Sequence, residues 1–363
     1  MKTDVTKEFS FGLRGIGRDL PPLIVAEMSG NHNQSLDRAL DIVKAAAETG
    51  VHALKLQTYT ADTMTLDLDD EAFTVNDPQS QWSGKTLHAL YDEAHTPWEW
   101  HKPIFEKAKE LGMMAFSTPF DNTAVDFLEG LNVPFYKIAS QENTDINLIR
   151  YVANTGKPVI ISTGMASKDE LTEAVGEARD AGCKELTLLK CTSTYPASPE
   201  NTNISTIQDI QRLFDCEVGL SDHTMGIGVS VASVALGATV IEKHFTLSRK
   251  DGGVDSDFSM EPNEMNNLVT ETERAWRCYG TVSYGATKAE EKSLKYRRSL
   301  YITHDIKAGE ALTAKNLRAI RPGYGLETKY LEELLGKTVV KDVSMGTPMD
   351  WNFIKNRYVK SKP

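Results

Sequence analysis

Eight short apolar runs, each followed by a helix-compatible stretch, constrain this chain more than any other feature. They are LIVAEM (23–28), HALKLQ (52–57), MMAFST (113–118), FYKIAS (135–140), PVIIST (158–163), LTLLKC (186–191), CEVGLS (216–221) and ATVIEKHF (238–245). The intervening segments include LDRALDIVKAAAETG and KDELTEAVGEARDAG, which end in Gly50 and Gly182 as helix-terminating glycines do. Eight strand-helix alternations over about 250 residues specify a (β/α)8 TIM barrel, because an open doubly wound sheet usually needs only five or six.

One connection breaks the rhythm. Between Gln57 and Met113 lie 55 residues, including Trp82, Trp98 and Trp100. Long insertions after a barrel strand commonly shape a substrate pocket, and an interface or packing arm is the other use of such a segment. The barrel domain is expected over residues 1–280. Residues 281–296 turn polar and lose the strand pattern, as a linker would. A smaller, β-rich domain is expected over 297–363, with turn-forming KAGE and SMGTP. About 65 residues are a marginal fold, so this domain is expected to pack on a barrel, its own or a partner's.

The formal net charge of -11 disfavours nucleic acid, so an anionic substrate must be held by a local cluster of lysines and backbone amides. No apolar run reaches the roughly 20 residues that span a bilayer. The first residues, MKTDVTKEFS, lack the apolar core of a secretory signal, so a cytoplasmic location is expected. Cys183, Cys191, Cys216 and Cys278 show no paired spacing and read as reduced thiols.

Polar residues that close barrel strands at their C-terminal ends are candidates for function, since the interior below is packed with branched side chains. Nearly every strand supplies one: Glu27; Lys55 and Gln57; Ser117 and Thr118; Lys137, Ser140 and Glu142; Ser162, Thr163 and Gly164; Thr192, Ser193 and Tyr195; Ser221, Asp222 and His223; Glu242 and His244. Two lysines, several hydroxyls and Gly164 describe a clamp for phosphate and carboxylate. His223 and His244, at neighbouring strand ends with carboxylates nearby, suit a divalent metal with open positions, or else each bonds within its own loop. The set looks made for a small phosphorylated acid and a second, carbonyl-bearing reactant.

At these residues the sequence resembles the sialic acid synthase family, which condenses phosphoenolpyruvate with an amino sugar. The motifs are IVAEMSGNHN, KLQT, FSTPFD, YKIAS, ISTGM, the TYP of CTSTYP, GLSDHT and IEKHFT, with DIKAGEAL and RPGYG in the second domain. The second domain is similar to type III antifreeze protein (SAF). Family members usually carry Asn in a CTNxYP motif where this chain has Ser193. That departure, with QTYTADTMTL and TPWEWH, resembles the branch of the family that makes pseudaminic acid from 2,4-diacetamido-2,4,6-trideoxy-altropyranose. Sialic or legionaminic acid synthesis is the alternative within the family. A metal-dependent aldolase and a non-catalytic carbohydrate-binding protein are the alternatives outside it.

The resemblance implies a role at each matching position. Lys55, Thr118, Lys137, Ser140, Ser162, Ser193 and Ser221 would hold phosphoenolpyruvate. His223 and His244 would bind Mn2+ or Mg2+, and Glu27 would orient or deprotonate water or a sugar hydroxyl. Gln57, Glu142, Tyr195 and Asp255 would face the sugar. Arg321 would reach in from the second domain of the other subunit in a domain-swapped homodimer.

Overall fold

The computed structural model describes residues 9–11, 14–78, 80 and 82–355. The chain forms two compact units that meet at Gly280 and Thr281. Among the described residues no helix is long and apolar enough to cross a membrane.

The first unit opens on a hairpin of β1 (Phe9–Phe11) and β2 (Arg14–Ile16). Eight parallel strands then close a barrel: β3 (Leu23–Glu27), β4 (Ala53–Thr58), β5 (Met114–Pro119), β6 (Tyr136–Ile138), β7 (Val159–Ser162), β8 (Leu186–Cys191), β9 (Glu217–Ser221) and β10 (Val240–His244). Each strand pairs with its sequence neighbours, and β10 pairs back onto β3. The (β/α)8 expectation is met.

Helices α1 (Leu36–Glu48), α2 (Ala61–Met64), α3 (Leu87–Ala94), α4 (Trp98–Glu110), α5 (Asn122–Gly130), α6 (Ile146–Ala153), α7 (Lys168–Asp180), α8 (Thr206–Phe214), α9 (Gly228–Ala235) and α10 (Pro262–Tyr279) complete the unit. Short polar side chains start several of them: Ser35, Asp121 and Asp145 accept from backbone N–H groups of the first turn, and Ser167 forms a capping box with Glu170. Gly50 and Gly182 follow α1 and α7 with φ of +83° and +100°, a backbone that L side chains rarely adopt.

Side-chain parity positions the site. Leu23, Val25, Ala53, Phe116, Phe135, Ile160, Leu189 and Val240 form a cluster inside the barrel, joined by Ile16 of β2. Their strand neighbours Ile24, Ala26, Leu54, Leu56, Ile161, Leu188 and Ile241 belong to the larger core shared with the helices. A period of two therefore sends residues 27, 55, 57, 118, 137, 162, 191, 221, 242 and 244 inward, above the apolar plug.

The second unit has its own core, built on Leu300, Ile302, Ile306, Leu312, Leu317, Leu334 and Val339. Among its described residues the regular sheet is β11 (Ser299–Ile302) against β12 (Leu317–Ile320), with isolated bridges such as Ile306 to Val343 around it and a short helix, α11 (Leu331–Leu334). Frequent turns keep the ladders short; Gly309 and Gly346, at φ of +90° and +83°, sit in KAGE and SMGTP. Its last residues, 356–363, lie outside the described residues.

Candidate active site

The C-terminal ends of the strands surround a cavity of about 310 Å3. Its floor is ionic and almost fully buried. Lys55 Nζ lies 2.7 Å from Glu27 Oε2 and 3.6 Å from Glu242 Oε1, and it donates to Thr118 Oγ1 at 3.2 Å. Lys137 Nζ lies 3.5 Å from the same Glu242 oxygen, to which Ser221 Oγ donates at 3.3 Å. Gln57 Nε2 donates to Glu27 Oε1 at 3.0 Å. Removing four charged groups from water is unfavourable unless each is paired, which is why they interlock.

Burial and charge split the two carboxyls. Burial raises the pKa of Glu27, and the nearby Glu242 adds to the shift that Lys55 only partly offsets. Burial acts on Glu242 the same way, but Lys137, Lys55 and His223 outweigh it and hold Glu242 ionised. Burial pulls the pKa of Lys137 down, with help from Lys55, although Glu242 resists. Lys55 loses to burial but gains more from Glu242 and Glu27, so its charge is secure.

Hydroxyls fill one side of the floor. Gly164 N donates to Ser140 Oγ at 3.2 Å, and Asn143 Nδ2 holds the carbonyls of Ser162 and Gly164 at 3.2 and 3.0 Å. A Cβ on Gly164 would collide with the hydroxyls of Ser140 and Ser193, so only glycine lets this loop close over them. Ser162 Oγ is buried with no hydrogen-bond partner, a donor left for a ligand.

The two imidazoles lie opposite, with ring centroids 5.4 Å apart and Phe258 beside both. His223 Nδ1 donates to the Thr192 carbonyl at 3.0 Å. His244 Nδ1 has no hydrogen-bond partner and lies 3.9 Å from Asp255 Oδ2, while Asp255 accepts from Ser29. Burial, then His223 and the lysines, hold His244 well below its ordinary pKa, so it is neutral with a lone pair. Among the described residues no group of three or more His, Cys, Asp or Glu side chains could hold a metal. The candidate donors are then two imidazoles: His244, neutral, and His223, whose pKa burial pulls down but Cys191, the Thr192 carbonyl and Glu242 raise. That set fits only an ion that keeps most of its positions for water and substrate.

Of the residues expected at the site, Lys55, Gln57, Lys137, Ser140, Glu142, Ser162, Tyr195, Ser221, His223, His244 and Asp255 line the cavity. Glu27 and Thr118 lie just beneath, fully buried, and act on the lining through Lys55. Ser193 is beside Gly164 and 3.8 Å from Cys191 Sγ. Arg321 belongs to the other unit, exposed just after β12. Strand-end residues that point away from the cavity include Asp222, of the opposite parity, which pairs with Lys243 at 3.1 Å and accepts from Ser230; Ser117, also of the opposite parity, whose hydroxyl bonds that of Thr58 at 2.6 Å; and Thr192, whose carbonyl accepts from His223 while its hydroxyl bonds the Asn201 carbonyl.

Glu242 and Cys191 join the lining without having been given a role. Parity would have found Cys191, two residues past the inward Leu189, and it gives Glu242, already a strand-end candidate, its inward direction two residues past Val240. The insertion after β4 also lines the cavity, with Met64, Val75, Trp82, Leu87, Leu90 and Tyr91. Only one of its three tryptophans does so. Trp98 stacks on Phe127 at 4.7 Å, and Trp100 packs against the outer core.

The pattern of the NeuB family matches residues 42–284, and that of the SAF domain matches residues 297–355. The chain is 42% identical over 331 residues to a pseudaminic acid synthase of Campylobacter jejuni, covering 90% of this chain and 95% of that protein. It is 40% identical over 330 residues to a pseudaminic acid synthase of Helicobacter pylori, covering 91% and 96%. The crystal structure of N-acetylneuraminic acid (sialic acid) synthetase from Leptospira borgpetersenii superposes with a TM-score of 0.71 at 30% identity, over 80% of this chain and 96% of that one. The barrel, the strand-end motifs and these matches agree: the chain belongs to the NeuB family of synthases and carries a SAF domain at its C-terminal end.

Proposed function

We propose that this chain is a pseudaminic acid synthase, condensing phosphoenolpyruvate with 2,4-diacetamido-2,4,6-trideoxy-altropyranose and water to give pseudaminic acid and phosphate. The observation that carries the reading is one cavity shared by two buried lysines, an unpartnered serine hydroxyl and two imidazoles.

Phosphoenolpyruvate is held at the floor. The contacts of Glu242 with Lys137 and Lys55, at 3.5 and 3.6 Å, are longer than the roughly 2.7 to 2.9 Å of a tight charge-assisted bond. A substrate oxyanion can approach both lysines more closely than Glu242 does, and its charge reinforces the protonated form of Lys137. Ser140, Ser162, Ser193 and Ser221 donate to the remaining oxygens, and Thr118 steadies Lys55 from below. His223 and His244 would hold a divalent ion, Mn2+ or Mg2+, which when bound would polarise the aldehyde oxygen of the open-chain sugar.

C3 of phosphoenolpyruvate attacks the aldehyde carbon, a C–C bond forms, and the aldehyde oxygen takes up a proton. Water adds to C2, and the C2–O bond breaks to release phosphate. Glu27, whose pKa burial raises and which Gln57 orients, exchanges the proton of that water or of a sugar hydroxyl by relay through Lys55, which lies 2.7 Å from its Oε2 and lines the cavity. Gln57, Glu142, Tyr195 and Asp255 face the sugar. The resemblance in the second domain supports a domain-swapped homodimer in which Arg321 completes the partner's site. A reaction fed by phosphoenolpyruvate belongs in the cytoplasm.

The test is phosphate release from phosphoenolpyruvate with a panel of sugars, with and without chelator. Turnover is expected to be fastest with the diacetamido altro sugar and to stop on chelation. A preference for N-acetylmannosamine would overturn the choice of sugar, and full turnover after complete demetallation would overturn the metal.

A further inference from the structure

The cavity has two kinds of wall. Charged and hydroxyl groups come from the strand ends, whereas Met64, Val75, Leu87 and Leu90 come from the insertion, with Phe120 and Val254 completing the apolar side. Residues 61–94 contain eight Asp and Glu side chains, yet none of them, and no Lys, Arg or Asn among the described residues of the segment, lines the cavity. Sidedness explains this. In α3, Leu87, Leu90, Tyr91 and Ala94 fall at helical spacing and face the cavity, while His88 on another face bonds Asp62 at 2.9 Å and so ties α3 to α2, which carries Met64. The polar tips on this wall are the hydroxyl of Tyr91 and the indole N–H of Trp82, the latter already donated to the Val254 carbonyl at 2.8 Å.

Resting on the synthase reading, we infer that Met64, Val75, Leu87 and Leu90 select the sugar by its methyl-bearing far end, the C6 methyl and the methyl of the C4 acetamido group. The aldehyde carbon must meet phosphoenolpyruvate at the ionic floor. The insertion begins only after β4 has ended, so its helices rise above the floor, where carbons four to six bonds away from the reacting centre must lie. A methyl group there sheds water onto Met, Val and Leu. A hydroxyl laid against those four side chains loses its water and finds no partner among them, which is unfavourable.

The experiment compares kcat/KM for the diacetamido trideoxy sugar with that for the 2-acetamido-2-deoxy hexose of the same configuration, which bears hydroxyls at C4 and C6. Full-length wild type, Leu87→Asn and Val75→Thr are used; Leu87 is only half-buried and Thr is nearly the shape of Val, so both variants retain the fold. The preference for the methyl-bearing sugar is expected to fall by about ten-fold in each variant, while KM for phosphoenolpyruvate is unchanged. An unaltered preference in both variants, or a KM for phosphoenolpyruvate that shifts in parallel, would overturn the inference alone. A wild-type protein that turns over neither sugar would overturn the synthase reading and this inference with it.

Discussion

Glu142 lines the cavity within reach of the Lys137 charge, with Oε2 buried and unpartnered. Burial raises its pKa to about 7, although its own backbone N–H and Lys137 pull the other way. Between its ordinary value of 4.5 and about 7 the folded chain binds more protons than the unfolded one, so stability falls as pH rises through that window. Glu142→Gln should therefore leave stability unchanged at pH 4 and raise it at pH 8 by on the order of 1 to 3 kcal/mol. Chemical denaturation at the two pH values checks this, and equal effects at both would show that the carboxyl does not titrate there. The types of residue at the floor were legible in the sequence because charged groups at the ends of apolar strands have few structural uses. Their partners were not. Nothing local in the sequence reveals that Lys55 bridges Glu27 and Glu242, residues 28 and 187 positions away, because barrel closure alone brings them together.

At the scale of elements, β9 depends on a residue without a side chain. Gly219 points inward, and a Cβ there would meet the Val240 carbonyl and Leu189 Cδ2. Gly219→Ala should destabilise the barrel by about 1 to 3 kcal/mol, since β9 must move away from β10 and so loosens the bond from Ser221 to Glu242 at the same strand ends. Thermal unfolding measures the loss; an unchanged midpoint would mean the strands can spread freely. The eight strands were legible from their apolar runs, yet the run FYKIAS yields only Tyr136–Ile138 as strand. Ala139 and Ser140 leave the ladder because Ser140 instead accepts from Gly164 N and Asn143 bonds across to the next strand end. The insertion after β4 was visible as excess length. Its division into one cavity-lining and two packing tryptophans was not, since all three look alike in sequence and only tertiary packing separates them.

At the scale of the whole molecule, two units with separate cores suggest that removing residues beyond Gly280 leaves a folded barrel. If Arg321 serves a partner's barrel, that truncation removes synthase activity, and mixing Arg321→Ala with His223→Ala protein restores part of it through subunit exchange. Absence of recovery with demonstrated exchange would abandon the swapped arrangement. The second domain was legible through its turn motifs rather than its strands, which are short enough to be lost among loops. The central claim, that the ionic floor binds phosphoenolpyruvate for attack by its carbon rather than for transfer of its phosphate, is tested most directly with phosphoenolpyruvate labelled with 18O at the C2–O–P oxygen. Mass analysis of the phosphate released with the diacetamido sugar should find the label retained, because water adds at C2 and the C–O bond breaks. Unlabelled phosphate, or release at the same rate without the sugar, would contradict the account.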